Sequence, residues 1–325
     1  MPNAIKVTLS LFVVWLLFAI WHVGAGAVQI SATEVVNTLI GDSSDNEFIV
    51  MGYRLPRMLV ATLVGASLAL SGLLVQGIVR NPLASPDILG VTTGASLAVV
   101  AVNAMFPEVS ATLFPFIAMV GGGIATLVLF SLARHVLNHA AALALIGVAL
   151  AALFSAGVDF LLLAFPLEIN VSMIWLTGSV WGRNWTHVPY LIGFLLALLP
   201  IAVVLAYKLD LFALGDETAQ GLGVNINKVR LLTLCVAITL ACVAVSVCGN
   251  IGFIGLIAPH AARFLLGNRH IALIPVCMLI GGSLLLSADL FARILMPPTE
   301  LPAGVMTAMI GGPYFIFLLS RYKHW

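Results

Sequence analysis

At 325 residues, with 62% hydrophobic and only 8% charged side chains, the chain is no water-soluble globule. Soluble proteins carry about 25% charged residues, and no soluble core absorbs this much apolar surface. A formal net charge of +1 argues against a nucleic-acid partner and against a patch for acidic substrates.

The apolar runs, in chain order, are Val7–Ala27, Arg57–Val79, Val91–Phe106, Thr112–Ala133, Ala140–Phe165, His187–Tyr207, Leu231–Cys248, Ile251–Leu266, Ile271–Leu295 and Leu301–Ser320. A bilayer core takes about 20 apolar residues per helix. These runs therefore predict an all-α polytopic membrane protein of about ten transmembrane helices, the third and eighth being short. Small residues at Gly24–Ala27 give the first run the look of a signal peptide. A single lysine, Lys6, precedes it, and we expect an uncleaved anchor. Cys235, Cys242, Cys248 and Cys277 fall within apolar segments without C-x-x-C spacing. They read as small buried hydrophobes, with no metal site implied.

Basic residues set the orientation. With the N-terminus in the cytoplasm, the inner side receives Lys6, Arg80, Arg134, Lys208, Lys228, Arg230, Arg263, Arg269, Arg321 and Lys323. The outer side receives only Arg54, Arg57, Arg183 and Arg293. This asymmetry predicts a multi-pass protein with both termini cytoplasmic. The longest polar connections are an outer loop at about 30–53 and an inner one at about 208–230, so residues 1–325 read as one transmembrane domain.

Between the second and third runs lies Gln76 to Gly90, Q-G-I-V-R-N-P-L-A-S-P-D-I-L-G. Asn81-Pro82 and Ser85-Pro86 force non-helical backbone there. Irregular backbone at membrane depth is tolerated where it is buried in protein or lines an aqueous path, so the stretch points to transport.

The energy source is not within the chain. A phosphate-cradling loop needs Gly-Lys followed by Ser or Thr, and none of the four lysines follows a glycine. Gradient-coupled carriers place Asp, Glu or His near the midplane. The candidates are Asp159, His260 and Asp289. Asp289 lies four residues before Arg293, the spacing of a helical ion pair. Asp159 either lines the path or hydrogen-bonds within the bundle. His260 follows Pro259, which deprives the Gly255 carbonyl of its helical donor. It reads as a buried histidine beside that kink or as a proton relay.

The inner loop is ordered and partly apolar. Leu211, Phe212, Leu214 and Leu222 flank a polar turn. Asp216 is expected to cap a short helix after Gly215, with Glu217 in its first turn. Gly221 and Gly223 are expected to end it. In a chain without an ATPase site this looks like a docking surface, the alternative being a loop resting on lipid headgroups.

Several strings, in order, resemble the FecCD family of permease subunits from ATP-driven iron–siderophore and cobalamin importers. They are Gln76–Gly90 itself, Arg54-Leu55-Pro56-Arg57, and Leu214-Gly215-Asp216-Glu217 with Leu222-Gly223-Val224. They continue with Gly252 to His260 followed by Arg263, Ala288-Asp289-Leu290 with Ala292-Arg293, Glu300 to Val305, and Gly311-Gly312-Pro313. Trp175 to Arg183 and the Gln76–Gly90 string look closest to the ferric citrate type. The resemblance implies an importer permease fold of type II, paired with an identical or paralogous permease in a bacterial inner membrane. It also implies two ATPase subunits, which hold ATP and Mg while this chain binds no cofactor, and an extracytoplasmic substrate-binding protein. By the same resemblance, Leu211, Leu214, Gly215, Asp216, Glu217, Leu222 and Gly223 match the coupling segment that touches the ATPases. Asn81 and Leu83 match the cytoplasmic gate. Arg54, Arg57 and Arg293 match sites that receive carboxylates of the binding protein. The competing classes are an ion-gradient-coupled secondary transporter, disfavoured by the sparse midplane charges, and a passive channel, which lacks a polar pore ring.

Overall fold

The computed structural model describes residues 2–42, 45–134, 140–166, 169–212, 215–296 and 299–321. Every regular element among them is helical. In chain order they are α1 (Pro2–Gly24), α2 (Ala32–Ile40), α3 (Glu47–Ile49), α4 (Leu55–Val79), α5 (Val91–Met105), α6 (Phe114–Ala133) and α7 (Ala140–Ala164). There follow α8 (Ile169–Leu176), α9 (His187–Phe212), α10 (Asp216–Gly221), α11 (Ile226–Cys248), α12 (Ile254–Leu266), α13 (His270–Ile294) and α14 (Ala303–Arg321). Among the described residues, seven helices are long and apolar enough to cross a membrane, and three shorter apolar helices correspond to the third, eighth and tenth predicted runs.

The second span starts earlier than expected. Arg54-Leu55-Pro56-Arg57 is not a loop: a π-helical turn at Val50–Arg54 joins α3 to α4, and the helix runs unbroken from Glu47 to Val79. Leu55 N–H bonds to the Val50 carbonyl, five residues back. The wider turn lies immediately before Pro56, where a tight turn would set the pyrrolidine ring against the carbonyl four residues behind it. The outer loop also holds α2, whose cap, Ser31, accepts from Glu34 N–H at 3.2 Å, half of a capping box. The inner loop is shorter than expected, because α9 runs on to Phe212 and α11 begins at Ile226.

α4 is the axis of the bundle. It is apolar all round and buried along most of its length, packed by α13, α11, α12 and α9. Its 25 residues span about 37 Å at 1.5 Å per residue, so it carries side chains to both ends of the protein. With lipid outside, close packing replaces hydrophobic exclusion as the force between helices, and small residues sit at the crossings. A Cβ on Gly72 would run into the backbone of Gly255 in α12, and one on Gly65 into the backbone of Gly281 in α13.

Pro259 leaves the Gly255 carbonyl without a helical donor, as expected. The donor that replaces it is Gln76 of α4, whose Nε2 lies 3.3 Å from the Gly255 oxygen and 3.4 Å from that of Leu256. Gln76 Oε1 accepts in turn from Arg263. One amide thus repairs the kink and fastens α12 to α4.

Candidate functional site

At the N-terminal end of α4 three arginines converge on one pocket of about 380 Å³, lined also by Tyr53 and Glu300. All three already have partners. Arg54 is only 7% exposed and donates to the carbonyls of Val23, Gly24 and Val28 at 2.8, 2.9 and 2.5 Å. Arg293 donates to His22 O at 3.0 Å and Ala25 O at 3.3 Å. Both therefore satisfy carbonyls orphaned at and just beyond the end of α1, where the helix dipole favours cations. Arg57 is held by two parallel bonds to Asp289, at 2.9 and 2.8 Å, and pairs with Glu300 at 2.8 Å. The fork of a guanidinium fits a carboxylate in this bidentate fashion.

The expected Asp289–Arg293 pair is present at 3.7 Å, but it is the weakest of the Asp289 contacts. The stronger ones are Arg57 and His22, whose Nε2 lies 2.8 Å from Asp289 Oδ2. His22 was missed from the sequence. It stands at the end of an apolar run, and an ionisable residue there is itself a signal. Three guanidinium groups against two carboxylates leave the pocket net positive, which raises the local concentration of an approaching anion.

A second group lies at the C-terminal end of α4. The Asn81 side chain accepts from Leu83 N–H at 2.9 Å, closing an Asx turn, and the Asn81 carbonyl accepts from Ala84 N–H at 3.1 Å. Arg80 and Asn81 help line a cavity of about 630 Å³ with Phe212, Gly215, His260 and His270. His260 does not fill the gap left by Pro259; its ring stands edge-on to Tyr314, 6.2 Å between centroids. Asp159 is exposed on α7. The two pathway candidates are thus on different helices, and no bond joins them.

In the inner loop, Asp216 is not the cap. It is the first residue of α10, Gly215 takes the cap position, and no side chain closes it. The carboxylate instead bridges two arginines: Arg80 contacts Oδ1, and Arg230 contacts Oδ2 at 2.9 Å. Two charge-assisted bonds outweigh one to a backbone amide. Both arginines also lie over the Phe212 ring, 5.9 Å from its centroid. Gly215 and Gly223 have φ of +96° and +82°, a region that favours glycine. Gly223 N–H bonds to Gln220 O and Val224 N–H to Ala219 O, the paired closure of a Schellman motif. Leu222 and Glu217 are exposed and Leu211 is partly buried, while Leu214 lies outside the described residues.

In the connection between α4 and α5, Asp87 stands in the short 3₁₀ turn Pro86–Leu89. Its Oδ1 is shut from solvent without a hydrogen-bond partner, and burial pushes its carboxyl up to about 6. A raised acid disfavours its own charged form in the fold. Stability is therefore greatest below the unfolded value near 4, and falls as pH rises through about 6. Asp87→Asn should remove this pH dependence and raise stability at neutral pH by about 2–3 kcal/mol. Melting temperatures of both proteins in lipid nanodiscs at pH 5 and 7.5 check it: the wild type should be the less stable at the higher pH, and the variant should not.

The model of the FecCD transport family matches residues 12–321. The chain is 47% identical over 312 residues to the Fe(3+)-citrate import system permease protein YfmE of Bacillus subtilis, covering 96% of this chain and 94% of that one. It is 46% identical over 279 residues to the Fe(3+) dicitrate transport system permease protein FecD of Escherichia coli, covering 86% and 87%. A solved structure described as a metal-chelate type ABC transporter in an inward-facing conformation matches with a TM-score of 0.84 at 31% identity, covering 97% of this chain and 99% of that one.

Proposed function

The chain belongs to the FecCD transport family, and from that membership we propose that it is the permease subunit of an ATP-binding cassette importer whose cargo is an iron(III) chelate of the citrate or siderophore class. The observation that carries this reading is the identity of 47% and 46% to two iron(III)–citrate permease proteins over most of each chain. The arrangement of charge supports it. The ionic groups cluster at the two ends of α4 and leave its middle apolar, as suits a subunit driven from outside itself.

In this reading residues 1–325 form one permease domain in a bacterial inner membrane, with both termini cytoplasmic. A second FecCD-type permease, identical or paralogous, completes the path. A substrate-binding protein docks above, its carboxylates meeting the positive pocket of Arg54, Arg57 and Arg293. Because those arginines are bonded within the chain, they present fixed N–H groups and lose little side-chain freedom on docking. Two ATPase subunits, which hold ATP and Mg, engage α10 and its exposed Glu217 and Leu222. Asn81 and Leu83 form the cytoplasmic gate, and Asp159 and His260 border the path. Lipid covers the remaining apolar faces.

Proteoliposomes containing the chain with its permease partner, its ATPase and its binding protein test the proposal. Radiolabelled iron(III) citrate should accumulate only when ATP, the ATPase and the binding protein are all present. Uptake by the chain alone, driven by a proton or sodium gradient, would overturn it.

A further inference from the structure

The bond that carries furthest beyond this reading joins the inner loop helix to the segment after α4. α4 ends at Val79, and Arg80 follows in the left-handed region, φ 52° and ψ 32°. It is one of only two non-glycine residues with positive φ among the described residues. The next residue, Asn81, precedes Pro82 and is barred from helical backbone. The angles of Arg80 are therefore the nearest pair that can swing the Asn81–Leu83 turn relative to α4.

Arg80 is held at that hinge by α9 and α10. Its Nη2 donates to the Phe212 carbonyl at 3.0 Å and to Asp216 Oδ1, and its guanidinium lies over the Phe212 ring. The other oxygen of Asp216 is held by Arg230, which is buried in the body of α11. Asp216 is thus shared between a fixed anchor and a hinge. α10 is a single short helix between two glycines of positive φ, so it can move as a unit while α9 and α11 stay in place.

We propose that Arg80 is the positioning residue that passes displacement of α10 to the Asn81–Leu83 turn, with the Arg80–Asp216 ion pair as the link. When α10 shifts, Asp216 moves with the helix and either pulls the Arg80 guanidinium along or parts from it, leaving Arg80 only the Phe212 carbonyl and ring of α9. In either case the hold on the left-handed backbone at Arg80 changes, and the turn carrying Asn81 and Leu83 reorients. This rests on the permease reading, in which α10 meets the ATPase and Asn81 and Leu83 form the gate.

The test uses the complete transporter in proteoliposomes, with binding protein and ATPase present. Two quantities are measured, ATP hydrolysed and iron(III) citrate transported, for wild type, Arg80→Gln and Arg80→Lys. Arg80→Gln should keep ATP hydrolysis within about twofold of wild type and lower transport about tenfold or more, so that ATP spent per iron chelate rises by a similar factor. Arg80→Lys, which keeps the charge but not the fork, should fall between them. A second measurement reads the turn itself. With Leu83→Cys as the reporter and Cys235→Ser as the background, labelling by a water-soluble maleimide is compared with and without ATP plus vanadate. Labelling should change on trapping with ATP and vanadate when Arg80 is present and stay constant in Arg80→Gln.

An unchanged ratio of hydrolysis to transport in Arg80→Gln would overturn the proposal, as would a parallel fall in both, or a nucleotide response at position 83 that survives the substitution. Should Arg80→Gln fail to assemble, an Arg80→Lys transporter with the wild-type ratio and wild-type labelling response would overturn it equally. Failure of the wild-type transporter to move the chelate with ATP would instead count against the permease reading itself.

Discussion

Asp289→Ala should destabilise the protein by about 3–5 kcal/mol, the cost of removing one partner from a buried ion pair. The carboxylate is 1% exposed and is bonded by Arg57, His22 and, at longer range, Arg293. Its loss leaves guanidinium groups facing each other across the pocket with only the exposed Glu300 to offset them. Arg57 then reorients or takes water into the pocket, and the α1 end that Arg293 caps loosens with it. The informative comparison is the double replacement Arg57→Met/Asp289→Leu. A buried pair replaced by apolar groups of similar size is often neutral in stability, so the double variant should be closer to wild type than Asp289→Ala is. Thermal unfolding in lipid nanodiscs reads both, and a double variant less stable than Asp289→Ala would show that the pair is net stabilising. Binding-protein affinity should fall in the double variant, which removes Arg57 from the positive pocket that the proposed partner enters. A charge reversal at Arg57 alone would confound docking with stability, because that side chain is part of the buried network.

Gly72→Ala should cost about 2–3 kcal/mol, and Gly72→Leu should prevent the protein from accumulating in the membrane. The added carbon meets the backbone of Gly255, not the end of a flexible side chain, so relief requires α12 to shift as a body. That shift also draws the Gly255 and Leu256 carbonyls from Gln76, whose bonds to them are already 3.3 and 3.4 Å long. The control is Gly193→Ala on α9, where the new carbon meets nothing within 4 Å and the helix should gain about 0.5–1 kcal/mol. Membrane abundance and melting temperature for the three variants provide the measurement. Equal stability of Gly72→Ala and Gly193→Ala would show that the crossing tolerates separation.

The all-helical architecture was legible because lipid simplifies the code. Each span must satisfy its own backbone bonds, so an apolar run of the right length is already a helix. The short runs at Val91 and Ile251 were recognisable for the same reason. Boundaries were less legible where a helix continues through residues that look like loop. The arginine- and proline-bearing stretch at 54–57 stays helical because a π turn precedes Pro56, and α9 runs through Asp210 because that side chain is engaged by His270. Gly223 was readable as an end of α10 from chemistry alone, whereas Gly221, expected to share that role, is the last residue of the helix. Asp216 was misread because capping is a local rule, whereas its partners, Arg80 and Arg230, come from two other segments. The same limit hid Gln76 and His22. Pro259 announced an orphaned carbonyl, but nothing near it in sequence named the amide 179 residues away that fills the gap.

The Arg57–Asp289 pair spans 232 residues, and that separation bears on biosynthesis. Ribosomes add about 5–20 residues per second, so Arg57 waits roughly ten to fifty seconds before its carboxylate emerges. During that interval the nascent chain carries an unmatched guanidinium in a helix already entering the bilayer, and the end of α1 lacks the Arg293 that caps it. Any polypeptide released early, short of residue 289, retains this defect permanently. Truncated products are thereby marked by an unmatched charge at the N-terminal end of α4.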